Sequence, residues 1–472
     1  MANLLVMKFG GTSVGSAERI RVACDLIAAE AATRPVLAVV SAMSKITDLL
    51  LDTTRHAEAS DQPGMDRGLR QLETRHFEAA RELVPSAELP RVAARIDDLI
   101  AEFRRIVNGM QMLAYRPPRA VDEAIAVGER LSALLVSEHL RSRGIPAQAI
   151  NAAETIVTDA VFNNASPLMD ATIVKANARL MPLLSTRQIP IVTGFNGATA
   201  DGRPTTLGRG GSDFSASILA AALGASELWI WTDVDGIMTA DPRLVPGAKV
   251  LDEITYGEAA ELAWAGARVL HPRTLAPLVE RKIPVWSKNS FAPQKPGTRI
   301  VPALGLGNPG ARAVTSMANV ALVSLEPAST LVGGVHIMAR ALDALDRANV
   351  EILAISSSSY RQSFCFLVRK DELEKTTEAI EAALSLELTH GYVKGIDVDP
   401  DVGLLAVVGE GMRGFSGLAG RIFTAISRAS VNIIAIAQGS SELTISIVVR
   451  RDGLEKAVRA VHAECHLARP AL

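Results

Sequence analysis

Three stretches of the chain carry residues suited to holding a phosphorylated anion next to a small zwitterion. In the first, an apolar run from Leu4 ends in Lys8-Phe9-Gly10-Gly11-Thr12-Ser13-Val14. Glycines let backbone N–H groups approach an anion, a helix starting near Ala17 turns its positive end toward it, and Lys8 adds a full charge. The stretch reads as a phosphate cradle, although Gly-Gly after a strand also marks a plain turn. In the second, Val36–Val40 runs into Ser41-Ala42-Met43-Ser44-Lys45-Ile46-Thr47, whose hydroxyls either face the same site or cap the next helix. In the third, Thr205-Thr206-Leu207-Gly208-Arg209-Gly210-Gly211-Ser212-Asp213 leads into an Ala-rich helix. Ser212 or Asp213 suits an N-cap. Glycine on both sides of Arg209 goes beyond what a cap needs: Arg209 can fork onto a carboxylate and Asp213 can accept from an ammonium, so together they suit an amino acid.

Weaker candidates surround these. Glu129, in Gly128-Glu129-Arg130 on a helix, reads as a solvated helix residue or a site carboxylate, with the solvated reading favoured. His56 and His76 lie in a polar, charge-rich region without a partner at metal-ligand spacing and are expected at the surface. His271, before Pro272, suits a packed or capping role.

The elements that must position these residues follow from periodicity. The run before Lys8, Val36–Val40, Ile189–Thr193 and Leu228–Asp233 are apolar strands separated by helical stretches, which predicts a parallel α/β sheet. Ligands of such sheets sit beyond the carboxyl ends of the strands, where the hydroxyl-rich turns lie. From Asp66 to Val107 the pattern is helical, with Val92, Ile96, Leu99, Ile100, Phe103 and Val107 spaced by threes and fours. A length of 472 residues suggests two to four domains. A net charge of −2 predicts no nucleic-acid or membrane surface and favours small-molecule partners. Cys24, Cys365 and Cys465 are scattered and odd in number, which argues against a disulfide framework or a structural zinc site and fits a reducing cytoplasm. No apolar stretch is long enough for a bilayer span, and the N-terminus has no cleavable leader pattern.

Taken in order, Lys8 to Val14, Leu207 to Asp213, Trp231-Thr232-Asp233-Val234-Asp235-Gly236, Asp241-Pro242-Arg243 and Leu270-His271-Pro272 closely resemble the aspartokinase family, and the resemblance covers essentially the whole chain. It implies an α/β amino-acid-kinase fold, a mostly parallel sheet between helices, over residues 1–300. It also implies phosphoryl transfer from ATP, with Mg²⁺, to the side-chain carboxylate of L-aspartate. By this resemblance Lys8 and Asp213 are catalytic. Lys8, Gly10, Gly11, Thr12, Thr232, Asp233, Met238, Arg243, Lys288 and Asn289 face the nucleotide. Ser41, Thr47, Glu129, Arg209, Gly210, Gly211, Ser212 and Asp213 surround aspartate. Met238 departs from the pattern, since the family usually has a tyrosine there.

After Asn289, the Pro/Gly-rich stretch Pro293 to Gly310 reads as a linker. Beyond it the chain repeats: shifted by 81 without gaps, Arg340 to Ser359 matches Arg421 to Ser440 at nine of twenty positions. Each copy reads as strand, glycine turn, helix and second strand. These copies resemble the two ferredoxin-like ACT units of aspartokinases, at about 318–395 and 402–472 within a regulatory region 313–472, the first inserted into the second, so that Ala313 to Met317 belongs to the later unit. The resemblance implies an amino-acid effector, with Gln438, Asn432 and Ile433 around it, and a homodimer or higher homo-oligomer through the ACT units. Ser357 stands where Gln438 stands in the other copy. Gly409-Glu410-Gly411-Met412-Arg413-Gly414 fits a dinucleotide fingerprint, but the next strand ends in Ala437-Gln438, with no acid for a ribose diol, so nicotinamide is not expected. The stretch Ile436 to Ser441 is similar to the kinase half of bifunctional aspartokinase–homoserine dehydrogenases. The sequence reaches only Leu472, so a dehydrogenase domain is not expected. A kinase for acetylglutamate or glutamate and a catalytically inactive amino-acid sensor are the alternatives. The first should lack the effector units and the Arg209 loop.

Overall fold

A computed structural model describes residues 3–267, 270, 272–304, 310–328, 333–358 and 363–467. They form two units: residues 1–237, 252–256 and 270–303 in the first, and residues 238–251, 257–269 and 304–472 in the second. His271 lies outside the described residues.

In chain order the first unit begins with β1 (Leu5–Phe9), α1 (Ala17–Ala31), β2 (Val36–Val40), α2 (Ile46–Glu58), α3 (Gln62–Leu83), α4 (Leu89–Leu113), α5 (Pro118–Ile125) and α6 (Val127–Ser142). It continues with β3 (Ala147–Ile150), β4 (Val157–Thr158), α7 (Met169–Ser185), β5 (Ile189–Thr193), β6 (Asn196–Thr199), β7 (Pro204–Thr206), α8 (Gly211–Leu223) and β8 (Glu227–Thr232). After β9 (Glu253–Thr255) come α9 (Tyr256–Trp264), whose body belongs to the second unit, α10 (Pro272–Arg281), β10 (Val285–Asn289) and β11 (Thr298–Val301). Eight strands make one sheet in the order β3-β5-β2-β1-β8-β10-β11-β9, parallel except where β10 meets β11. Every residue of β1, β2 and β5 is buried, as uninterrupted apolar runs require when helices cover both faces. Strand β11 lies inside the stretch expected to be a linker. Its Ile300 and Val301 are buried in the sheet, and the prolines and glycines that gave the linker signal flank it on both sides, Pro293, Pro296 and Gly297 before it and Pro302 onward after it.

Helices α2, α3, α4 and α6 pack over one side of this unit around a single apolar cluster. His76 sits inside it, fully buried, against expectation. It falls on the inward face of α3 with Leu69, Leu72, Ala79, Ala80 and Leu83, and its Nδ1 contacts the Leu72 carbonyl. Burial holds its imidazole down to about 4, that is, neutral. His56 is half exposed beside Asp61, as expected of a surface residue.

The second unit is built on a six-stranded sheet of β12 (Ala313–Pro327), β13 (Ile352–Ser357), β14 (Phe364–Arg369), β15 (Val393–Val408), β16 (Ile433–Gln438) and β17 (Thr444–Arg450), ordered β13-β14-β12-β15-β17-β16. Helices α11 (Gly334–Arg347) and α12 (Leu373–Ala383) share one core with the β13-β14 half, and α14 (Leu418–Arg428) and α15 (Leu454–Glu464) share another with the β16-β17 half; the short α13 (Ser385–Thr389) lies between α12 and β15. Each copy therefore has a third strand and a second helix beyond the elements expected. The long strands β12 and β15 serve both copies. Ala313–Met317 pairs with Leu404–Val408 in the second copy, and after a bulge Val320–Leu325 pairs with β14 in the first. The repeat extends to register. Ile352 pairs with Val368 before a bulge at Ala354, and Ile433 pairs with Val449 before a bulge at Ala435, each pair displaced by the same 81 positions.

Candidate active site

Parallel pairing brings the C-terminal ends of β5, β2, β1 and β8 to one edge of the sheet, because Lys8 is level with Val39 on β2 and Ile230 on β8. The turns after β1, β2 and β5, together with the first turn of α6 and the loop leading into α8, line a cavity of about 580 Å³. Lys8, Gly11, Ser41, Thr47, Glu129, Arg209, Gly210, Gly211, Ser212 and Asp213 all line it. Residues from four separate parts of the sequence thus meet because strand order, not sequence distance, sets adjacency.

Among these residues, Lys8 Nζ lies 2.5 Å from Asp213 Oδ1, with both side chains largely shielded from solvent. Asp213 is in the first turn of α8, where amides have no partner within the helix and the dipole is positive. The N-cap of α8 is Gly210, not Ser212 or Asp213, and no side chain caps it, so both side chains are available to the cavity. Gly208 and Gly210 have φ of 73° and 70°, a left-handed conformation that favours glycine; this is how the loop doubles back at Arg209. Arg209 is exposed in the cavity, with no hydrogen bond or ion pair among the described residues. Likewise Ser41, Ser44 and Thr47 do not cap α2, whose N-cap is Lys45 in a left-handed conformation without a side-chain bond. These hydroxyls and Lys45 line the cavity instead.

Glu129, which also lines the cavity, is 2% exposed, so the sequence preference for a solvated residue is corrected. α6 is buried almost all round, and its first turn faces the cavity. Loss of solvation pushes the Glu129 carboxyl up to about 7, only partly offset by the Ala42 N–H that donates to it. Its Oε2 has no partner. An ammonium entering the cavity would supply one.

Of the residues that the resemblance places at the nucleotide, only Lys8 and Gly11 line this cavity. Strand alternation puts Ser287 on the face of Lys8 and puts Lys288, level with Trp231 and Phe9, on the other. The Lys288 ammonium accordingly lies 4.9–5.6 Å from the Trp229, Trp231 and Trp286 rings and donates to the Pro296 carbonyl, and burial lowers its pKa. Asn289 donates to Asp235, which also pairs with Lys295, and Thr232 contacts Asp233. Thr12, in a single 3-10 turn at Gly11–Val14, is exposed, as is Asp233. Met238 and Arg243 belong to the second unit, where Met238 bridges to Val250 and Arg243 forks onto Asp241.

In the second unit Gln438 lines a cavity of about 310 Å³ with Met412, Phe415, Leu418, Glu442 and Ile445. Asn432 and Ile433 do not line it. A larger cavity, about 600 Å³, lies on the Ser357 side, lined by Ser324, Ser356, Ser358, Ser363, Lys394 and Asp397 among others. Sequence reasoning missed Lys45, Asp48, Asn163, Phe195 and Thr206 at the first cavity. Lys45 was legible as a cation ending the second strand turn, while the other four carry no local signal.

The model of the amino acid kinase family matches residues 3–289, and that of the ACT domain matches residues 329–384 and 405–465. The bifunctional aspartokinase/homoserine dehydrogenase 1 of Arabidopsis thaliana chloroplasts is 35% identical over 99% of this chain, which spans 51% of that relative. The chain likewise spans about half the length of the other bifunctional relatives it matches. The aspartokinase of Schizosaccharomyces pombe is 31% identical, with 98% of this chain and 92% of the relative covered. Among solved structures, E. coli aspartokinase III in complex with aspartate and ADP (R-state) superposes with a TM-score of 0.83 at 30% identity, covering 98% of this chain and 100% of the other. The same enzyme in complex with lysine and aspartate (T-state) gives 0.79 at 31% identity, covering 98% and 99%. The chain belongs to the amino acid kinase family and, within it, to the aspartokinases that carry ACT domains.

Proposed function

We propose that this protein is an aspartate kinase that transfers the γ-phosphoryl group of ATP to the side-chain carboxylate of L-aspartate, giving 4-phospho-L-aspartate for amino-acid biosynthesis. The observation that carries the proposal is the charge pattern of one cavity: an uncommitted guanidinium at Arg209, a buried carboxylate with an open oxygen at Glu129, and the Lys8–Asp213 pair at a helix N-terminus. Arg209 receives the α-carboxylate and Glu129 the α-ammonium, which turns the side-chain carboxylate toward Lys8. That carboxylate is already ionised, so no general base is needed. One of its oxygens bonds to the γ-phosphorus as the bond to ADP breaks, and ADP leaves with the electron pair. Lys8 and the amides of the first turn of α8 stabilise the charge spread over the transferring group. Gly10, Thr12, Thr232, Asp233 and Asn289 are assigned to the nucleotide.

Among the described residues no group of three His, Cys, Asp or Glu side chains could hold a metal alone. Magnesium arriving with ATP needs only one or two carboxylates beside phosphate oxygens, and Asp213 fits that role. It would neutralise charge on the phosphates. No described helix is long and apolar enough to cross a membrane, and the three cysteines are free, which supports a reducing cytoplasm. We assign an amino-acid effector to the Gln438 cavity and self-association to the ACT units.

The test is ADP release with a panel of acceptors. Release that depends on aspartate and not on glutamate or acetylglutamate supports the assignment. Release with acetylglutamate alone, or with no amino acid at all, overturns it.

A further inference from the structure

The Arg209 loop is held by two charged residues that never reach the cavity. Asp122, on α5, is completely buried. Its Oδ2 accepts from the backbone N–H of Asn163 at 2.9 Å and of Thr206 at 3.1 Å, and its Oδ1 accepts from the Thr206 hydroxyl at 2.6 Å. No cation pairs with it among the described residues. A buried carboxylate without a counter-ion is costly, and here only these three donors offset that cost.

From α10, Arg273 grips the neighbouring atoms of the same two segments. Its guanidinium donates to Asn164 Oδ1 at 2.6 Å, to the Ala165 carbonyl at 3.1 Å and to the Leu207 carbonyl at 3.4 Å. It also lies over the Phe214 ring, the residue after Asp213, at 5.0 Å. Segments 163–165 and 206–207 are therefore pinned from opposite ends by a carboxylate and a guanidinium. Between and beyond them run Asn163, Thr206, Gly208 and Arg209, all lining the cavity. Gly208 has no slack, since a Cβ there would fall 2.5 Å from Asn164 Oδ1.

We propose that Asp122, with Arg273, is a positioning residue for acceptor recognition: by fixing Thr206 and Asn163 it sets where the Arg209 guanidinium stands in the cavity. The proposal rests on the assignment of that cavity to the amino-acid acceptor. An asparagine at 122 keeps the shape but replaces one acceptor oxygen with an NH₂ that faces donors, so at least one of the three bonds is lost. Among the described residues Asp122 bonds only to Asn163 and Thr206, which line the cavity with Arg209, and to no residue assigned to the nucleotide, so the effect should fall on one substrate.

The experiment is a double-mutant cycle on steady-state kinetics with the acceptor that wild type uses. Asp122→Asn should raise KM for aspartate by roughly tenfold, while KM for ATP and the thermal unfolding midpoint change little. Thr206→Val, which deletes only the hydroxyl donor, should move KM in the same direction by less, and it carries the test if Asp122→Asn does not fold. In an Arg209→Ala background both substitutions should have almost no further effect on aspartate, because what they position is gone. Effects that add fully in that background, or KM values for both substrates rising together, overturn the proposal. If wild type instead uses another amino acid, the functional assignment fails while the same cycle, run with that acceptor, still decides the role of Asp122.

Discussion

Replacing Glu129 by glutamine separates what burial costs from what the charge does. The distance between the ordinary carboxyl value of 4.5 and about 7 for Glu129 corresponds to about 3 kcal/mol. Between those values the folded chain holds a proton that the unfolded chain has lost. Stability therefore falls as pH rises from 4.5 to 7 and is level above it. Glu129→Gln removes this slope. At pH 8 the variant should gain about 3 kcal/mol over wild type, less about 1 kcal/mol for an imperfectly bonded buried amide, and near pH 4.5 the gain should vanish. Trp229, Trp231 and Trp286 lie in the first unit, so urea unfolding followed by tryptophan fluorescence at pH 5 and pH 8 reads it. The cost appears in binding. Without the carboxylate the acceptor ammonium forfeits a charged hydrogen bond of about 1.5–3 kcal/mol, roughly tenfold to 100-fold in kcat/KM for aspartate. In wild type the same parameter should fall about tenfold per pH unit below 7, and in the variant it should not. A variant less stable than wild type at pH 8, or one that keeps the pH dependence, would refute the reasoning.

Lys8→Met should lower kcat by on the order of 100-fold or more with folding intact, since the lost contact strengthens as charge moves onto the transferring group; near-normal turnover in a folded variant contradicts the phosphate cradle. Arg209→Ala should cost about tenfold to 100-fold in kcat/KM for aspartate and much less for ATP, and equal losses would move Arg209 to the nucleotide side. Gln438→Ala should abolish calorimetrically detectable binding of the inhibitory amino acid among threonine and lysine. Ser357→Ala should leave it in place, because a hydroxyl offers no paired amide donor and acceptor; unchanged binding in the Gln438 variant refutes that assignment.

How legible the molecule was depended on whether a signal was local. β1, β2, β5 and β8 could be read because strands covered on both faces are apolar throughout, and the loop from Gly208 to Asp213 because it holds more glycine and charge than a cap requires. The repeat was legible at a fixed offset of 81, yet β14 and β17 were not assigned, although Phe364-Cys365-Phe366-Leu367-Val368 is as apolar as its neighbours. What could not be read depends on register and packing. Lys288 was assigned to the nucleotide by resemblance alone, and the sequence did not show that it shares a face with Trp229, Trp231 and Trp286, because one residue along a strand reverses the face. His76 sits on a helix of polar composition whose narrow apolar stripe happens to include it. Glu129 is buried because its helix is covered on nearly every side, which a Gly-Glu-Arg triplet does not reveal. Asp122 and Arg273 work through backbone atoms more than 40 residues away along the chain, and no local pattern marks such partners.

The central claim is that the cavity phosphorylates a carboxylate of aspartate. Phosphorus-31 NMR of wild type with ATP and aspartate tests it most directly, alongside Lys8→Met under the same conditions. An acyl-phosphate resonance that grows with ADP, requires aspartate and is almost absent in the variant is the expected result. ADP and inorganic phosphate appearing with no acyl phosphate, even when hydroxylamine is present to trap it as the hydroxamate, would contradict the claim.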